Sequence, residues 1–511
     1  MPKLPPFALA EAQPVRKRPY YLAVFFALFT VPLFLIHLHL LNLPFFWDEQ
    51  GQFIPTALDL LRTGAWVAHS TLPNVHPPGV EAYLVLWYKL FGYSIPITRS
   101  AMLLLAGVGL LATFLLAIEL SKGTKGAPAF LPPLFLLSSP LFYTQSMMAQ
   151  LDMPAMVLTL LSLLFFIKRQ YAAAALASIA LVLVKETGIV APFVFFAVLA
   201  WRKEWKTAAL FLAPGIALAG WLAVLHHATG YWLGNPGFAH YNVAYSLQPV
   251  RMSLSIARHI YYLFFAEFRW IGTLVLFLTW RQCRGFRSEP WRIAILVAAA
   301  NALLVSVLGG AELERYLLPS LPVFYIAVAV GISCLHRRWF GIAAVAGLIV
   351  GQVVNLFYNP PYPFPYENNY AMVDFVRLQK LAATIAEQNF ADRTIATAWP
   401  YTAALRDPDF GFVHHGLKTV ETNDFHASSI TSLAPSSYGV LIVYTRTWMP
   451  PNGVIAIPFV RRFLQTYYHW EPEISAGQCA QLGLRPAVSW TLGGQEITIY
   501  VRQGKPRGTT I

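Results

Sequence analysis

Two adjacent acidic residues, Asp48 and Glu49, directly follow a long apolar stretch near the start of the chain. A third acid, Asp152, lies in the short segment 150–154 between two further apolar runs. A carboxylate at a membrane surface can take the proton of a hydroxyl nucleophile, which is general-base chemistry. An acid this close to hydrocarbon is costly unless it is paired or functional. These three acids are therefore candidate catalytic residues, with a solvated loop start as the alternative for the adjacent pair.

Basic residues near these acids could hold an anionic group. Lys185 and Glu186 interrupt an apolar run, and broken helices often mark ligand sites in membranes. A structural ion pair between these two residues is the alternative. Arg315 precedes another apolar run and could grip a phosphate as a bidentate donor, or extend its charged end to the membrane surface.

The chain that positions these residues is strongly apolar. Hydrophobic residues make up 57% of its 511 residues and charged residues only 12%. A soluble domain carries roughly 25% charged residues. This shortfall excludes a cytosolic enzyme and a nucleic-acid-binding protein, so we expect an α-helical polytopic membrane protein.

The apolar runs predict eleven membrane spans, judged against the roughly 20 residues that cross a bilayer core. Segment 79–91 is too short and is placed at the membrane interface, and the long run 172–201 is split at 185–188. The first span is interpreted as retained, because no small-residue cleavage site follows it. The predicted spans are 20–42, 96–118, 127–147, 153–167, 172–184, 188–201, 207–228, 258–280, 292–310, 316–335 and 339–358.

The charge distribution orients these spans. Residues 1–359, the membrane half, hold 25 Lys and Arg against 13 Asp and Glu, whereas residues 360–511 hold 12 against 11. With the N-terminus inside, the inner loops contain 17 Lys and Arg and only 4 Asp and Glu, which satisfies the positive-inside rule. The candidate acids then lie at the outer face, where ATP and nucleotide sugars are absent.

Residues 360–511, called the tail below, differ in composition from the membrane half. A stiff proline-rich connector opens the tail. Segment 371–388 has a helical period, and 438–444 and 496–501 are typical of strands. We expect two domains, a transmembrane domain over 1–359 and a small extracytoplasmic α/β domain over 360–511. Three cysteines cannot form a disulfide framework, so the tail would have to fold by its own core.

Six short motifs occur in order along residues 47–319. They are Trp47-Asp48-Glu49, His76-Pro77-Pro78-Gly79, Lys89-Leu90-Phe91-Gly92, Gln150-Leu151-Asp152-Met153-Pro154, Lys185-Glu186-Thr187-Gly188 and Arg315-Tyr316-Leu317-Leu318-Pro319. With these motifs in this order, the chain resembles the GT-C glycosyltransferases, and specifically glycosyltransferase family 39. That family includes protein O-mannosyltransferases and lipid A aminoarabinose transferases. The resemblance covers the membrane half and says nothing about the tail.

The resemblance implies catalytic roles for the acids. It implies a polyprenyl-phosphate-linked sugar donor, an active site at the outer face and inversion at the anomeric carbon. Asp48 matches the family's base, Glu49 would take a supporting role, and Asp152 matches the acid of the second outer loop.

The resemblance also implies a set of donor phosphate-binding residues. The aminoarabinose transferases have a permanently charged lysine where this chain has His76. Arg315, Tyr316 and Lys185 would then supply more of the phosphate binding than His76 does.

The predicted function is a hexosyl- or pentosyltransferase of the plasma (inner) membrane. It would move a sugar from a polyprenyl phosphate to a hydroxyl or amine of a lipid, glycan or protein, without a nucleic-acid partner. The alternative is a transporter or flippase of a lipid-linked sugar, which needs its acids near the midplane and reachable from both sides. A receptor with a sugar-binding tail would not explain the loop acids. A divalent metal is left open as a cofactor, and no ligand set for a metal is predicted.

The topology can be tested by cysteine labelling. A membrane-impermeant maleimide applied to intact cells should label cysteines placed beside Asp48, beside Asp152 and in the tail, because all three are predicted outside. Cysteines in the loop 122–125 should react only after the membrane is opened. Labelling of that loop in intact cells would contradict the predicted orientation.

Overall fold

The computed structural model describes residues 20–122, 124, 126–447 and 453–502. These residues form a mostly helical protein with one five-stranded sheet in the tail. The basic residues 16–18 and Lys125, which entered the predicted inner charge, lie outside the described residues.

Helices account for most of the membrane half. They are α1 (Tyr20–His37), α2 (Ile54–Thr63), α3 (Gly79–Phe91), α4 (Ile95–Leu120), α5 (Leu131–Ser138), α6 (Pro140–Met147), α7 (Asp152–Ile167), α8 (Tyr171–Val184), α9 (Val190–Trp201), α10 (Trp205–Ala208), α11 (Ala213–Thr229), α12 (Pro236–Ala239), α13 (Pro249–Phe264), α14 (Arg269–Thr279), α15 (Glu289–Val307), α16 (Leu321–Ser333) and α17 (Arg338–Phe357).

Five helical stretches of the described chain are long and apolar enough to cross a membrane. They are Tyr21–Leu40, Ile95–Leu120, Trp205–Thr229, Glu289–Val307 and Arg338–Phe357. Each coincides with one of the predicted spans. The number of candidate spans rises to seven if each of two bent helix pairs counts as one span. Three further apolar helices are shorter. The predicted count of eleven is therefore not confirmed.

Two predicted straight spans are broken. The span predicted over 258–280 is wrong as a single helix, because α13 and α14 meet at 83°. Glu267 and Phe268 adopt φ values of 50° and 61° there, the left-handed region that ends a helix. The span predicted over 127–147 is divided into α5 and α6, with Ser139 extended and Pro140 starting the next helix.

The predicted break inside 172–201 is confirmed. Helix α8 ends at Val184, Lys185 is extended, and α9 begins at Val190 after one 3₁₀ turn. A second sharp break, of 104°, separates α6 from α7 and makes Asp152 the first residue of α7. Both breaks put charged side chains at helix ends, where they can face a common space.

The tail contains helices around a mixed sheet. Its helices are α18 (Ala371–Phe390), α19 (Tyr401–Arg406), α20 (Ala427–Ser432), α21 (Pro458–Tyr468) and α22 (Ala476–Gln481). Its strands are β1 (Ile395–Ala398), β2 (Thr419–Thr422), β3 (Val440–Tyr444), β4 (Leu484–Leu492) and β5 (Gln495–Arg502). The strand order is β2-β1-β3-β5-β4, with β2, β1 and β3 mutually parallel and β5 antiparallel to both neighbours. The helix predicted at 371–388 and the strands predicted at 438–444 and 496–501 are confirmed.

The tail does not have a separate core. One continuous cluster of buried apolar residues includes both the membrane half and the tail. Phe375 of α18 packs on Phe46 and Trp47 with ring centroids 5.5 and 5.8 Å apart. The Tyr93 hydroxyl donates to the carbonyl of Asp409 at 2.6 Å. The core of the tail is therefore continuous with that of the membrane half, and the two-domain division with a self-folding tail stays a prediction.

The cysteines are not all free. Cys283 and Cys334 form a disulfide bond in the membrane half, and Cys479 is a buried free thiol in the tail. This pairing was not predicted, since the two cysteines are 51 residues apart in sequence.

Candidate active site

One cavity of about 1060 Å³ opens where the helix breaks, the first long loop and the tail meet. Six of the seven predicted site residues line it. These are Asp48, His76, Asp152, Lys185, Arg315 and Tyr316. The seventh, Glu49, does not.

Arg315 is the central residue of the cavity wall. Its guanidinium contacts Asp48 Oδ2 at 2.5 Å, Asp152 Oδ2 at 3.1 Å and Glu367 Oε2 at 2.8 Å, and it donates to Gln150 Oε1 at 2.6 Å. Only 6% of the Arg315 side chain is exposed. One buried cation therefore holds together acids from the first loop, from α7 and from the connector to the tail.

Lys185 supplies a second cation beside the first. Its ammonium donates to Asp152 Oδ1 at 2.5 Å and lies 4.4 Å from the ring centroid of Tyr316. The alternative of a Lys185–Glu186 ion pair is wrong, because Glu186 Oε2 instead lies 2.8 Å from Nδ1 of His76. Lys185 is extended at the helix break, and the two adjacent side chains find different partners.

Glu367 lies in the turn Tyr366–Asn368 at the start of the tail, between α17 and α18. Burial raises the pKa of Glu367 to about 7; Arg315 opposes this change, and the neighbouring carboxylates of Asp48 and Asp152 add to it. Three carboxylates thus face two cations, and the charge of one carboxylate changes near neutral pH.

Glu49, also predicted as a catalytic residue, is fully buried behind the cavity wall and does not line the cavity. Its carboxylate accepts hydrogen bonds from the backbone N–H of Phe46 at 2.8 Å and of Ala149 at 2.6 Å. It also forms a bidentate ion pair with Arg99, at 2.5 and 3.0 Å. A carboxylate with these four donors cannot reach a substrate. It fixes the loop ahead of Asp48 to the loop ahead of α7.

Arg99 completes this arrangement from inside α4. It has no exposed side-chain surface and donates to the carbonyls of Leu43, Pro44 and Met147 at 3.3, 3.0 and 3.0 Å. The Arg99–Glu49 pair therefore holds both acid-bearing loops from behind. A buried pair of this kind requires nearly complete hydrogen bonding, because unpaired buried charge is very costly.

A second buried layer supports Arg315 from the other side. Glu314 pairs with Arg269 of α14 and accepts from Asn368 Nδ2 at 3.0 Å. Arg315 and Glu367 adjoin Glu314 and Asn368 in the chain, and they pair with each other on the cavity side. The helix break at 267–268 thus brings Arg269 to the position where it fixes the segment that carries Arg315.

Several lining residues were not predicted. Glu367 is an isolated acid after the proline-rich connector, and that isolation is a sequence feature that could have identified it. Trp399, Glu421 and Arg446 of the tail also line the cavity. Nothing in the sequence marks these three, because the sheet brings them together. Within the described ranges, no group of three or more His, Cys, Asp or Glu side chains could hold a metal ion.

Comparison with known proteins gives the fold. ArnT from Cupriavidus metallidurans, in a crystal structure bound to undecaprenyl phosphate, superposes with a TM-score of 0.53 at 14% sequence identity. The apo crystal structure of the same protein gives 0.54 at 15% identity. Each comparison covers 94% of this chain and 98% of ArnT. This chain has the GT-C fold. With its apolar helices, it is a multi-pass membrane protein.

Sequence comparison gives a narrower match. Residues 74–307, a little under half of the chain, match the model of Glycosyltransferase family 87. No curated protein is a significant match to the chain. The resemblance to family 39 and the orientation in the membrane stay predictions.

The buried pair behind the site can be tested by unfolding. Arg99→Met leaves the Glu49 carboxylate buried without its cation, so we expect a loss of roughly 3–5 kcal/mol in the free energy of unfolding. Arg62→Met, which removes a mostly exposed pair with Asp409, should cost about 0–1 kcal/mol. The measurement is unfolding in mixed micelles followed by tryptophan fluorescence.

The double variant provides the control for this experiment. Because Glu49→Gln removes the stranded charge, Arg99→Met combined with Glu49→Gln should be less destabilised than the sum of the single variants. Strictly additive losses would show that the two side chains do not act as a pair.

Proposed function

We propose that the chain is an inverting glycosyltransferase that moves a sugar from a polyprenyl-phosphate donor to a hydroxyl or amine at the outer face of the membrane. The observation that carries this proposal is the gathering of Asp48, Asp152, Arg315 and Lys185 in one cavity. The family 87 match over residues 74–307 supports it. The shared fold with a protein crystallised with undecaprenyl phosphate also supports it.

Arg315 and Lys185 are the proposed phosphate site. Both are buried cations that form ion pairs with carboxylates. A donor phosphate would replace some of these carboxylates and keep the cations neutralised. Arg315 offers a planar pair of N–H donors for phosphate oxygens. Tyr316 supports the Lys185 ammonium with its ring, and His76 contributes a further polar group from the first long loop.

Asp48 is the proposed general base, and its environment differs from that of Asp152. The two oxygens of Asp152 are held by Lys185 and Arg315, and only 4% of its side chain is exposed. Asp48 is 18% exposed in the same cavity and contacts Arg315 through Oδ2. We therefore assign proton removal to Asp48 and positioning of the two cations to Asp152. Glu49 is a positioning residue for the Asp48 loop.

The proposed reaction follows from the roles assigned to these residues. The acceptor hydroxyl or amine attacks the anomeric carbon from the side opposite the phosphate, and its proton passes to Asp48. The bond from the anomeric carbon to the phosphate oxygen breaks, and the charge on the leaving polyprenyl phosphate is stabilised by Arg315 and Lys185. A single displacement of this kind inverts the anomeric configuration. The sugar is a hexose or pentose, and the acceptor a lipid, glycan or protein.

Asp48→Asn tests the proposed base. The variant keeps the size and a hydrogen-bond acceptor but cannot take the proton, so transfer should fall roughly 10²- to 10⁴-fold. Donor binding and the unfolding midpoint should stay close to those of the parent. The measurement is sugar transfer from lipid-linked donors extracted from host membranes.

The matched control is Asp59→Asn. Asp59 is on α2 and binds the backbone of His69 and Ser70, and it does not line the cavity. The Asp59→Asn variant should retain sugar transfer. Retention of most activity by Asp48→Asn would remove Asp48 as the base and move that role to Asp152.

Arg315 variants test the phosphate site. Arg315→Lys keeps a positive charge among the three carboxylates but loses the bidentate donor geometry. Losing charge-assisted hydrogen bonds should weaken undecaprenyl phosphate binding roughly 10- to 100-fold, and Arg315→Ala should weaken it further. Arg62→Lys is the control, because Arg62 lies outside the cavity. Unchanged binding in both Arg315 variants would contradict the assignment.

The pH dependence of donor binding tests Glu367. Below pH 7 its carboxyl is protonated and does not compete as an anion for Arg315; above pH 7 it ionises and competes with the phosphate. The affinity for a polyprenyl phosphodiester, whose own charge is constant, should therefore fall roughly 3- to 10-fold from pH 6 to pH 8. Glu367→Gln should flatten this profile, and Glu496→Gln should not. A parent profile that is flat, or that rises with pH, would contradict this role.

A further inference from the structure

Three parallel strands of the tail end at the cavity. Strands β2, β1 and β3 are parallel and lie in that order in the sheet. The chain passes from β1 to β2 on one side of β1 and then crosses to β3 on the other side of β1. Such a reversal is a topological switch point, and open α/β sheets bind ligands in the crevice outside the carboxyl ends of the strands there. Trp399 follows the end of β1, Glu421 is near the end of β2, and Arg446 follows β3. All three line the cavity.

This crevice opens beside the proposed base. The Trp399 and Trp47 rings are 6.5 Å apart and perpendicular, at 89°. The Arg446 guanidinium lies 5.3 Å from the centroid of the Trp47 ring. Trp47 immediately precedes Asp48, whose carboxylate contacts Arg315. Asp48 therefore links the phosphate site and the crevice of the tail.

The backbone is shaped to allow this contact. Trp47 has φ of 34°, a conformation that is unfavourable for a bulky residue and is often found at functional sites. Across the contact, a Cβ on Gly51 would lie 2.3 Å from the Trp399 ring. Only glycine at position 51 lets the indole lie directly on the first loop. The two aromatic rings are thus fixed by the same loop that carries Asp48.

The polar groups of the crevice suit an uncharged ligand. Glu421 is exposed and accepts from the Thr402 hydroxyl through Oε2 at 2.7 Å. Arg446 donates to the carbonyl of Asn423 at 3.2 Å and also interacts with Asp424 and Glu473. Acids thus outnumber this cation, which disfavours a second phosphate. Indole rings pack against the C–H faces of a sugar, while a carboxylate and a guanidinium bind its hydroxyls.

We propose that this crevice binds a sugar unit of the acceptor, which makes the acceptor of the proposed transferase a carbohydrate-bearing molecule. The inference rests on the proposed function for the identity of the reaction, but the crevice itself is defined by the tail and Trp47. Trp399 and Trp47 form the stacking surface, and Glu421 and Arg446 bind hydroxyl groups. A hydroxyl of that sugar, or of the unit next to it, would then lie beside Asp48. The nucleophile would approach on the side away from Arg315.

The same chemistry could come from the sugar of the donor, so the experiment separates the two sources. The full-length chain in detergent is mixed with soluble methyl glycosides of glucose, mannose, galactose and arabinose, and binding is followed by saturation-transfer difference NMR. At least one glycoside should bind. It should remain bound when undecaprenyl phosphate, or undecaprenyl phosphate carrying glucose, saturates the phosphate site. Displacement by the sugar-carrying lipid alone would assign the crevice to the donor and overturn the proposal.

Matched variants locate the binding. Glu421→Gln should weaken glycoside binding about 10-fold or more, because a charged hydrogen-bond acceptor is lost. Its affinity for undecaprenyl phosphate should stay within about twofold of the parent, since phosphate binding is assigned to other residues. Glu496→Gln is the control: Glu496 also accepts strand hydroxyls, from Ser489 and Thr498, but it does not line the cavity. Trp399→Phe, which keeps a ring over Gly51, should also weaken binding, and Trp490→Phe should not.

The outcomes separate this proposal from the proposed function. Arg315→Lys should lose undecaprenyl phosphate binding and keep glycoside binding. If no glycoside binds the parent, or if Glu421→Gln binds it as well as Glu496→Gln does, the crevice is not a sugar site. The donor site would be unaffected by that result. If glycosides bind but undecaprenyl phosphate does not, the proposed function fails while the sugar site remains.

Discussion

The buried ion pair between Glu49 and Arg99 is the constraint on which the site depends. Glu49 binds the backbone of Phe46 and of Ala149, so one carboxylate fixes the chain just before Asp48 and just before Asp152. Two acid-bearing loops that are about 100 residues apart in sequence thereby share one anchor. The anchor persists because breaking a buried pair leaves an uncompensated charge, which costs more than the pair itself contributes.

On the cavity side of this anchor, the charges neutralise one another. Arg315 contacts three carboxylates and Lys185 pairs with one of them. In the proposed function, a phosphate takes the place of a carboxylate beside these cations. Arg269, Glu314 and Asn368 hold the segments of Arg315 and Glu367 from behind. Arg315 is therefore held from both sides.

Sequence patterns identified features that depend on local chemistry. The break at 185–188 was predictable because charged residues interrupt an apolar run, and six cavity residues followed from motifs beside such runs. The break at 267–268 was missed, although Glu267 and Arg269 interrupt the apolar run there too; Arg269 pairs with Glu314, 45 positions away. The position of Glu49 was likewise set by Arg99. Trp399, Glu421 and Arg446 become neighbours only through the strand order β2-β1-β3.

The most direct test of the proposed phosphate site is an electron cryomicroscopy structure of the full chain with undecaprenyl phosphate. The phosphate should lie within hydrogen-bonding distance of Arg315 and Lys185. At least one of Asp48 and Glu367 should be released from Arg315, and the Glu49–Arg99 pair should be unchanged. A phosphate bound outside this cavity, with Arg315 still contacting all three carboxylates, would contradict it.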